Sequence, residues 1–435
     1  MKPVDRPALR MTPNETPLLD QGSVPPKGVR WRETRPDRAS ETRVTCEWPG
    51  PCRRSSCDML AKDTAGLGRP SFSAALGHPP EPGANALDVC RALRAAAHSA
   101  AGAVIFSIFL LVSSCSASTD PVTQTRQLPF ALTTLTLYDH ASDATFSACF
   151  ERIGTILNEF NMYRDGSEIS AVNRSAGRGA VPVSEDFRMA LRQALQLASS
   201  TDGLFDPTVG PLVKLWRIGS DAAHLPTPQE ISSTLRLVGW KDVVLDDKAR
   251  TVQLLRPGMN LDFGAILKGF SAVETGRILH DRNVKSAVVD VGGSVLTLGS
   301  RPDGSSWRIG IQTPGAPTGT SLGVVQVRDE VVNTSGSYEQ FFIQNGHRYQ
   351  HILNPHTGYP VDNGVESVTV IADRLHNADG PTLAILALGV EKGLAFARQI
   401  GVEAIIIGED RRIHLTAGLS GRFTLSDSSY SVAAR

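Results

Sequence analysis

Beyond about residue 128, apolar positions recur with the periods of strands and helices, and this continues to about residue 420. Residues 132–138 (L-T-T-L-T-L-Y) alternate as a strand. A helix opening at Ser142 or Asp143 follows, with Phe146, Phe150, Ile153, Ile156, Leu157 and Phe160 at helical spacing, a stripe that belongs to a core. Residues 161–173 form a loop around Asp165 and Gly166, with Ser167 and Glu168 starting a short helix. Ser184 caps a helix to about residue 200 that turns Leu191, Leu195 and Ala198 inward. The stretch 201–216 (T-D-G-L-F-D-P-T-V-G-P-L-V-K-L-W) is too apolar for a solvent loop. Each large side chain left in water would cost roughly 1.5–3 kcal/mol, so the loop must pack or line a pocket. Strands are predicted at 251–255 and 259–263, then a helix to Arg282 whose start is bracketed by Gly264 and Gly269. A buried strand at 286–291 leads to Gly292-Gly293, with further strands at 307–311 and 322–327. Residues 333–338 (N-T-S-G-S-Y) read as a turn, and Asn345-Gly346 between alternating segments as a hairpin. A half-buried strand at 366–371 precedes an apolar helix opened by Asp379, and 403–408 with 412–416 closes the chain as a hairpin around Glu409-Asp410.

The first hundred residues lack this patterning. Residues 1–88 are rich in Pro, Gly, Arg and Ser and cannot bury enough apolar surface to offset ordering entropy, so they read as disordered or as a misassigned extension. Cys46, Cys52 and Cys57 have neither a C-x2-C pair nor a nearby His, a poor zinc pattern. Arg91 and Arg94 then precede an apolar run ending V-S-S-C at Cys115. That is the layout of a secretory signal, and V-S-S-C resembles a bacterial lipobox in which Cys115 is lipidated. The competing reading is a single membrane anchor, since 95–112 is just long enough to span. Both place the domain outside the cytoplasm. The organisation expected is an extension (1–88), a lipoprotein signal (89–115), a linker (116–127) and one catalytic domain (128–425). Lys+Arg and Asp+Glu are both 44, a balance that gives no sign of a nucleic-acid partner. After Cys115 only Cys149 remains, so the mature domain has no internal disulfide.

The candidate chemistry lies between Leu353 and Leu388. The loop L-N-P-H-T-G-Y-P is stiffened by two prolines that fix φ around a glycine free to take φ > 0. His351 stands just before it. Asp379 in a first helical turn is either a capping residue or a hard oxygen ligand for Mg²⁺. The glycines around the helix start at 264–269 suit either a phosphate, with Lys268 adding a charge, or simply a tight strand-to-helix turn.

Residues 128–420 resemble the FAD:protein FMN transferases, the ApbE family. The matching blocks are Y-R-D-G-S-E-I-S-A-V-N, G-L-F-D-P-T-V-G-P-L-V-K-L-W, L-D-F-G-A-I-L-K-G, V-D-V-G-G, N-T-S-G-S-Y-E, H-I-L-N-P-H-T-G-Y-P and A-D-G-P-T-L-A-I-L-A-L-G, in that order. The resemblance implies an α+β fold of mixed, largely antiparallel sheets packed with helices. It implies FAD as substrate with Mg²⁺, transfer of FMN to a threonine of an acceptor protein, and release of AMP. The acceptor would be a subunit of a membrane redox pump or a periplasmic reductase. It places Tyr163 on the isoalloxazine ring, Leu132 where the family often has a flavin-contacting Met, and Leu204, Phe205 and Asp206 in the nucleotide pocket. Asp262 and Lys268 would lie near the nucleotide, as would Ile352 beside the catalytic-base candidate His351. Metal ligands would be the Ala265 carbonyl, Asp379 and, in place of the usual threonine four residues after the Asp (here Leu383), Thr382. That departure leaves hydrolysis of FAD or mere storage of the flavin as alternatives to transfer. With the signal, the resemblance implies an inner-membrane lipoprotein facing the periplasm.

Overall fold

A computed structural model describes residues 120–434. The extension, the three early cysteines, the signal with Cys115 and the start of the linker lie outside the described residues. In chain order the elements are β1 (Val122–Leu128), β2 (Ala131–Leu137), α1 (Asp143–Glu159), α2 (Glu168–Arg174), β3 (Val181–Pro182), α3 (Glu185–Ser200), α4 (Gly210–Trp216) and α5 (Pro228–Leu235). Then come β4 (Val243–Asp246), β5 (Thr251–Leu254), α6 (Leu267–Asp281), β6 (Ala287–Val291), β7 (Ser294–Leu298), β8 (Trp307–Gln312), β9 (Ser321–Val327) and β10 (Glu330–Gly336). The chain closes with β11 (Phe341–Gln344), β12 (His347–Gln350), β13 (Val365–Asp373), α7 (Asp379–Leu388), α8 (Val390–Ile400), β14 (Glu403–Gly408), β15 (Arg412–Leu415), β16 (Phe423–Leu425) and β17 (Ser431–Val432).

Nine strands form the main sheet in the order β1-β2-β6-β7-β10-β13-β14-β15-β17. Every pairing in it is antiparallel except β15 with β17. The fold is therefore α+β with mixed, largely antiparallel sheets, as the resemblance implies. The large core joins one sheet face to the helices: Phe146, Phe150 and Ile153 of α1, Phe187 and Leu191 of α3, Phe270 of α6 and Ile385 of α7 are all buried in it. A second core, with Trp307, Leu322, Val325, Ile371, Ile405 and Ile407, covers the other face of the far strands. Ser142 caps α1 by accepting from Thr145 N–H, and Ser184 caps α3 by accepting from Phe187 N–H.

Four local expectations are corrected. The 366–371 strand is buried on both faces, because Val368 and Val370 enter the first core while Ile371 enters the second. Residues 333–336 are strand, paired throughout with β13 and at Asn333 also with β7. Residues 259–263 form no strand beyond an isolated bridge at Asn260. Their backbone groups are instead taken by the Asn173 side chain at Leu261 and by Pro207 O at Asp262. The 201–216 stretch packs as predicted, but its second half is a helix that buries Leu212 and Trp216.

Candidate active site

Three chain segments far apart in sequence meet at the start of α7. Asn377 fastens them: its Oδ1 accepts from Asp379 N–H at 3.0 Å and its Nδ2 donates to Ile266 O at 2.7 Å, tying the start of α7 to the start of α6. Asp379 is 2 % exposed. The helix N-cap is Ala378, which makes no side-chain cap hydrogen bond. The Asp379 carboxylate turns to the neighbouring elements instead, accepting from Gly269 N–H at 2.6 Å and from the Ser294 hydroxyl at 2.9 Å. The capping alternative is thereby excluded.

The same contacts revise the idea of a phosphate at the start of α6. Gly269 N–H faces Asp379, and Gly264 N–H is held by Asp262 Oδ1 at 2.7 Å, so both donors serve the protein's own carboxylates. Gly269 is required for close approach rather than for an unusual torsion. A Cβ there would lie 2.3 Å from Asn377 Oδ1 and 2.7 Å from Asp379 Oδ1. Gly269→Ala should destabilise the fold by roughly 1–3 kcal/mol, the usual cost of overpacking, measurable as a lower denaturant midpoint at unchanged slope.

Lys268, one residue earlier, donates from Nζ to Gly292 O at 3.0 Å. Gly292 adopts φ +57° and donates its N–H to Leu132 O, which brings β2 and the lysine stem together. The ammonium acts on Asp379, Asp290, Glu339 and His351. Desolvation raises all three carboxyls above their usual range, and Lys268 only partly offsets this. One lysine thus acts on three carboxyl groups, each of which burial still holds above its usual range. Asp290 and Glu339 were not singled out in the sequence, although the blocks V-D-V-G-G and N-T-S-G-S-Y-E contain them.

His351 follows β12. Its Nδ1 lies 3.3 Å from Gln340 O, the carbonyl that also accepts its backbone N–H. That contact assigns the proton to Nδ1 and the free lone pair to Nε2. Burial, with Lys268 in support, lowers its pKa to about 4, while the Gln340 carbonyl opposes the shift. Ile352 beside it is buried. The following turn is locked from outside, because Trp216 Nε1 donates to Gly358 O at 2.8 Å. His356 in that turn is exposed and meets Asp202 O at 2.9 Å through Nε2.

The expected flavin-side residues form a second group. Tyr163 is 63 % exposed, and Leu132 and Phe130 are exposed too, so three large apolar side chains face outward. Desolvation and the Asp262 carboxylate push the Tyr163 phenol up to about 12. Burial raises Asp262, with Lys214 partly compensating. Phe205 is buried and its ring lies near Gly380 at the head of α7, while Leu204 is half-buried. Asp206 plays a positioning part: it accepts from Thr208 N–H and Oγ1–H at 2.8 and 2.6 Å and from Trp240 N–H at 3.0 Å. Ala265 is half-buried in the turn before α6. Thr382 is fully buried; its hydroxyl donates to Ala378 O at 2.7 Å and accepts from Asn333 Nδ2 at 3.3 Å.

Among the described residues no group of three or more His, Cys, Asp or Glu side chains is placed to hold a metal. The oxygens around Asp379 are of another kind: one carboxylate with hydroxyl and amide neighbours, hard donors that suit Mg²⁺ better than a soft metal.

Comparison with known proteins decides the family, since the ApbE family pattern matches residues 131–406. The chain belongs to the ApbE family. An FAD:protein FMN transferase of Klebsiella pneumoniae (strain 342) is 37 % identical over 299 residues, covering 68 % of this chain and 92 % of that protein. One from Treponema pallidum (strain Nichols) is 36 % identical over 312 residues, covering 68 % and 86 %. The ApbE protein of Thermotoga maritima superposes with a TM-score of 0.64 at 27 % identity, over 70 % of this chain and 99 % of its own. The apo flavinyl transferase ApbE of Pseudomonas stutzeri gives 0.60 at 28 % identity, over 66 % and 91 %. This ApbE-family chain is an enzyme of the transferase class.

Proposed function

We propose that the protein is a Mg²⁺-dependent FAD:protein FMN transferase that esterifies a threonine of an acceptor protein and releases AMP. The observation that carries this is Lys268, whose ammonium acts on both the buried Asp379 carboxylate and the His351 imidazole. In the reaction the threonine oxygen bonds to the FMN phosphorus, the pyrophosphate P–O bond breaks, and AMP leaves with the electron pair. The threonine proton passes to His351 Nε2, whose lone pair is free because Nδ1–H is engaged with Gln340 O. Lys268 stabilises charge on the phosphoryl oxygens. The exposed Tyr163 and Leu132 offer apolar surface for the isoalloxazine, and Phe205 supports the head of α7 beneath it. Mg²⁺, when bound, supplies further positive charge to the pyrophosphate. Asp379 is its anchor, with the Ala265 carbonyl and Thr382 as the other expected ligands. Thr382 is the weaker of these, since its proton and one lone pair are already engaged.

The acceptor is a flavin-carrying subunit of a membrane redox pump or a periplasmic reductase, and the enzyme reaches it as an inner-membrane lipoprotein anchored through Cys115. What supports the anchor is the apolar run ending in V-S-S-C. Incubating the protein with FAD, Mg²⁺ and such an acceptor tests the activity: covalent flavin fluorescence on the acceptor together with AMP supports transfer. FMN and AMP formed at the same rate without acceptor marks a hydrolase, and unchanged FAD marks a storage protein.

A further inference from the structure

The start of α7 offers few oxygens: among residues 379–384 only Asp379 and Thr382 carry one in the side chain. The neighbouring strand supplies another. Asn333 on β10 is 2 % exposed, and its Nδ2 donates to Thr382 Oγ1 at 3.3 Å. The orientation of this amide is fixed, because the single Thr382 proton goes to Ala378 O and Asn333 must present its N–H group to that oxygen. Its Oδ1 then faces no donor at all, although it is buried. A buried acceptor left so loses its hydration without compensation, which calls for a partner absent from the polypeptide.

The register shows where that partner sits. Asn333 lies opposite Ser294 in the β10–β7 ladder, so both side chains project from the same sheet face. Ser294 reaches Asp379 Oδ1, and Asn333 reaches Thr382, one helical turn further along α7. The unpaired oxygen therefore belongs to the same wedge between sheet and helix as the buried carboxylate. We propose that Asn333 Oδ1 is a ligand of the divalent cation anchored by Asp379. This deepens, and rests on, the metal-dependent activity proposed above. A neutral amide oxygen beside one carboxylate is an ordinary ligand pair for a hard cation.

Mn²⁺ serves as the probe, titrated into the full protein with FAD present and followed by the loss of the free-ion EPR signal. Melting temperature in EDTA is recorded for the same samples. Asn333→Leu should raise the Mn²⁺ dissociation constant by about tenfold or more, the scale on which groups at a metal site act. It should melt in EDTA no earlier than wild type, because it removes an unpaired acceptor. Asn333→Asp, which keeps an oxygen there, should bind Mn²⁺ at least as tightly as wild type, and it decides the matter if Asn333→Leu does not fold. Wild-type Mn²⁺ affinity in Asn333→Leu, with affinity lost in Asp379→Asn, would overturn the Asn333 assignment and leave the metal-dependent reaction standing. An earlier melt in EDTA at unchanged affinity would also overturn it and leave Asn333 as the structural partner of Thr382. If Asp379→Asn binds Mn²⁺ as wild type does, the metal site at α7 falls, and Asn333 with it.

Discussion

His351→Asn should lower covalent flavin transfer by about 10²–10⁴-fold, the range for a positioned general base, while leaving FAD affinity close to wild type. The pH profile sharpens this expectation. An unperturbed histidine would place the acid limb of the rate near pH 6.5. Here burial and Lys268 hold the imidazole pKa at about 4. Only the neutral ring accepts a proton, so the wild-type rate should stay level from neutral pH downward and fall only as pH approaches 4. Stability follows the same group. The unfolded chain binds a proton at His351 between about pH 6.5 and 4 whereas the folded protein does not, so this contribution is fully present above pH 6.5. It is lost as pH falls through that window. His351→Asn should flatten that part of the stability curve. A histidine that merely ties β12 to the turn at 353–360 would behave differently, since its loss would lower melting temperature and FAD binding together. Transfer assays, FAD titration and melts on the same variant distinguish the two.

Asp379→Asn should give effects of opposite sign on activity and on metal-free stability. The amide keeps the shape of the carboxylate and still accepts from Gly269 N–H or the Ser294 hydroxyl. Burial raises the Asp379 pKa, which means that the folded protein holds this proton more tightly than the unfolded chain does. Stability is then lost as pH rises through the range between the unfolded and folded values, and the ionised group weakens the metal-free fold at neutral pH. Removing the charge should leave the melting temperature in EDTA unchanged or higher. Turnover should fall by at least about 10²-fold, the scale of losing one electrostatic contact to a transition state. The stabilisation that added Mg²⁺ should give wild type should vanish. A variant that melts well below wild type in EDTA would show Asp379 to be chiefly structural.

Much of this was legible in the chain itself. The stripes of α1 and α3 with their caps Ser142 and Ser184, the hairpin at Asn345-Gly346 and the helix opened by Asp379 all follow from local periodicity and turn chemistry. What local pattern cannot contain is the second layer. Residues 366–371 look half-buried because they alternate and are β-branched, and only packing of the β8–β9–β16 sheet on the far side of the strand explains its second buried face. Residues 333–336 look like a turn because Asn, Ser and Gly favour one, yet pairing with β13 along their length, and with β7 at Asn333, holds them extended. The site shows the same division. Asp379, Lys268 and His351 are visible as residue types in matching blocks, whereas the depressed histidine pKa depends first on burial by the tertiary fold and then on a lysine 83 positions away by residue number. Ser294 and Asn333 entered the site only once strand register had fixed which way their side chains project.

The order of strands in the main sheet also bears on how the molecule is made. β2 is bordered on one side by β6, and Leu137 is paired with Ala287, so about 150 residues must loop out before that contact can form. β10 joins β7 across a shorter gap, but the centre of the sheet still awaits chain from well past the middle of the sequence. Such non-local pairing makes for slow folding. A polypeptide that emerges N-terminus first cannot begin to extend the β1–β2 pair until β6 has appeared, nor complete the sheet until β17 has, and it remains open and threadable for that interval.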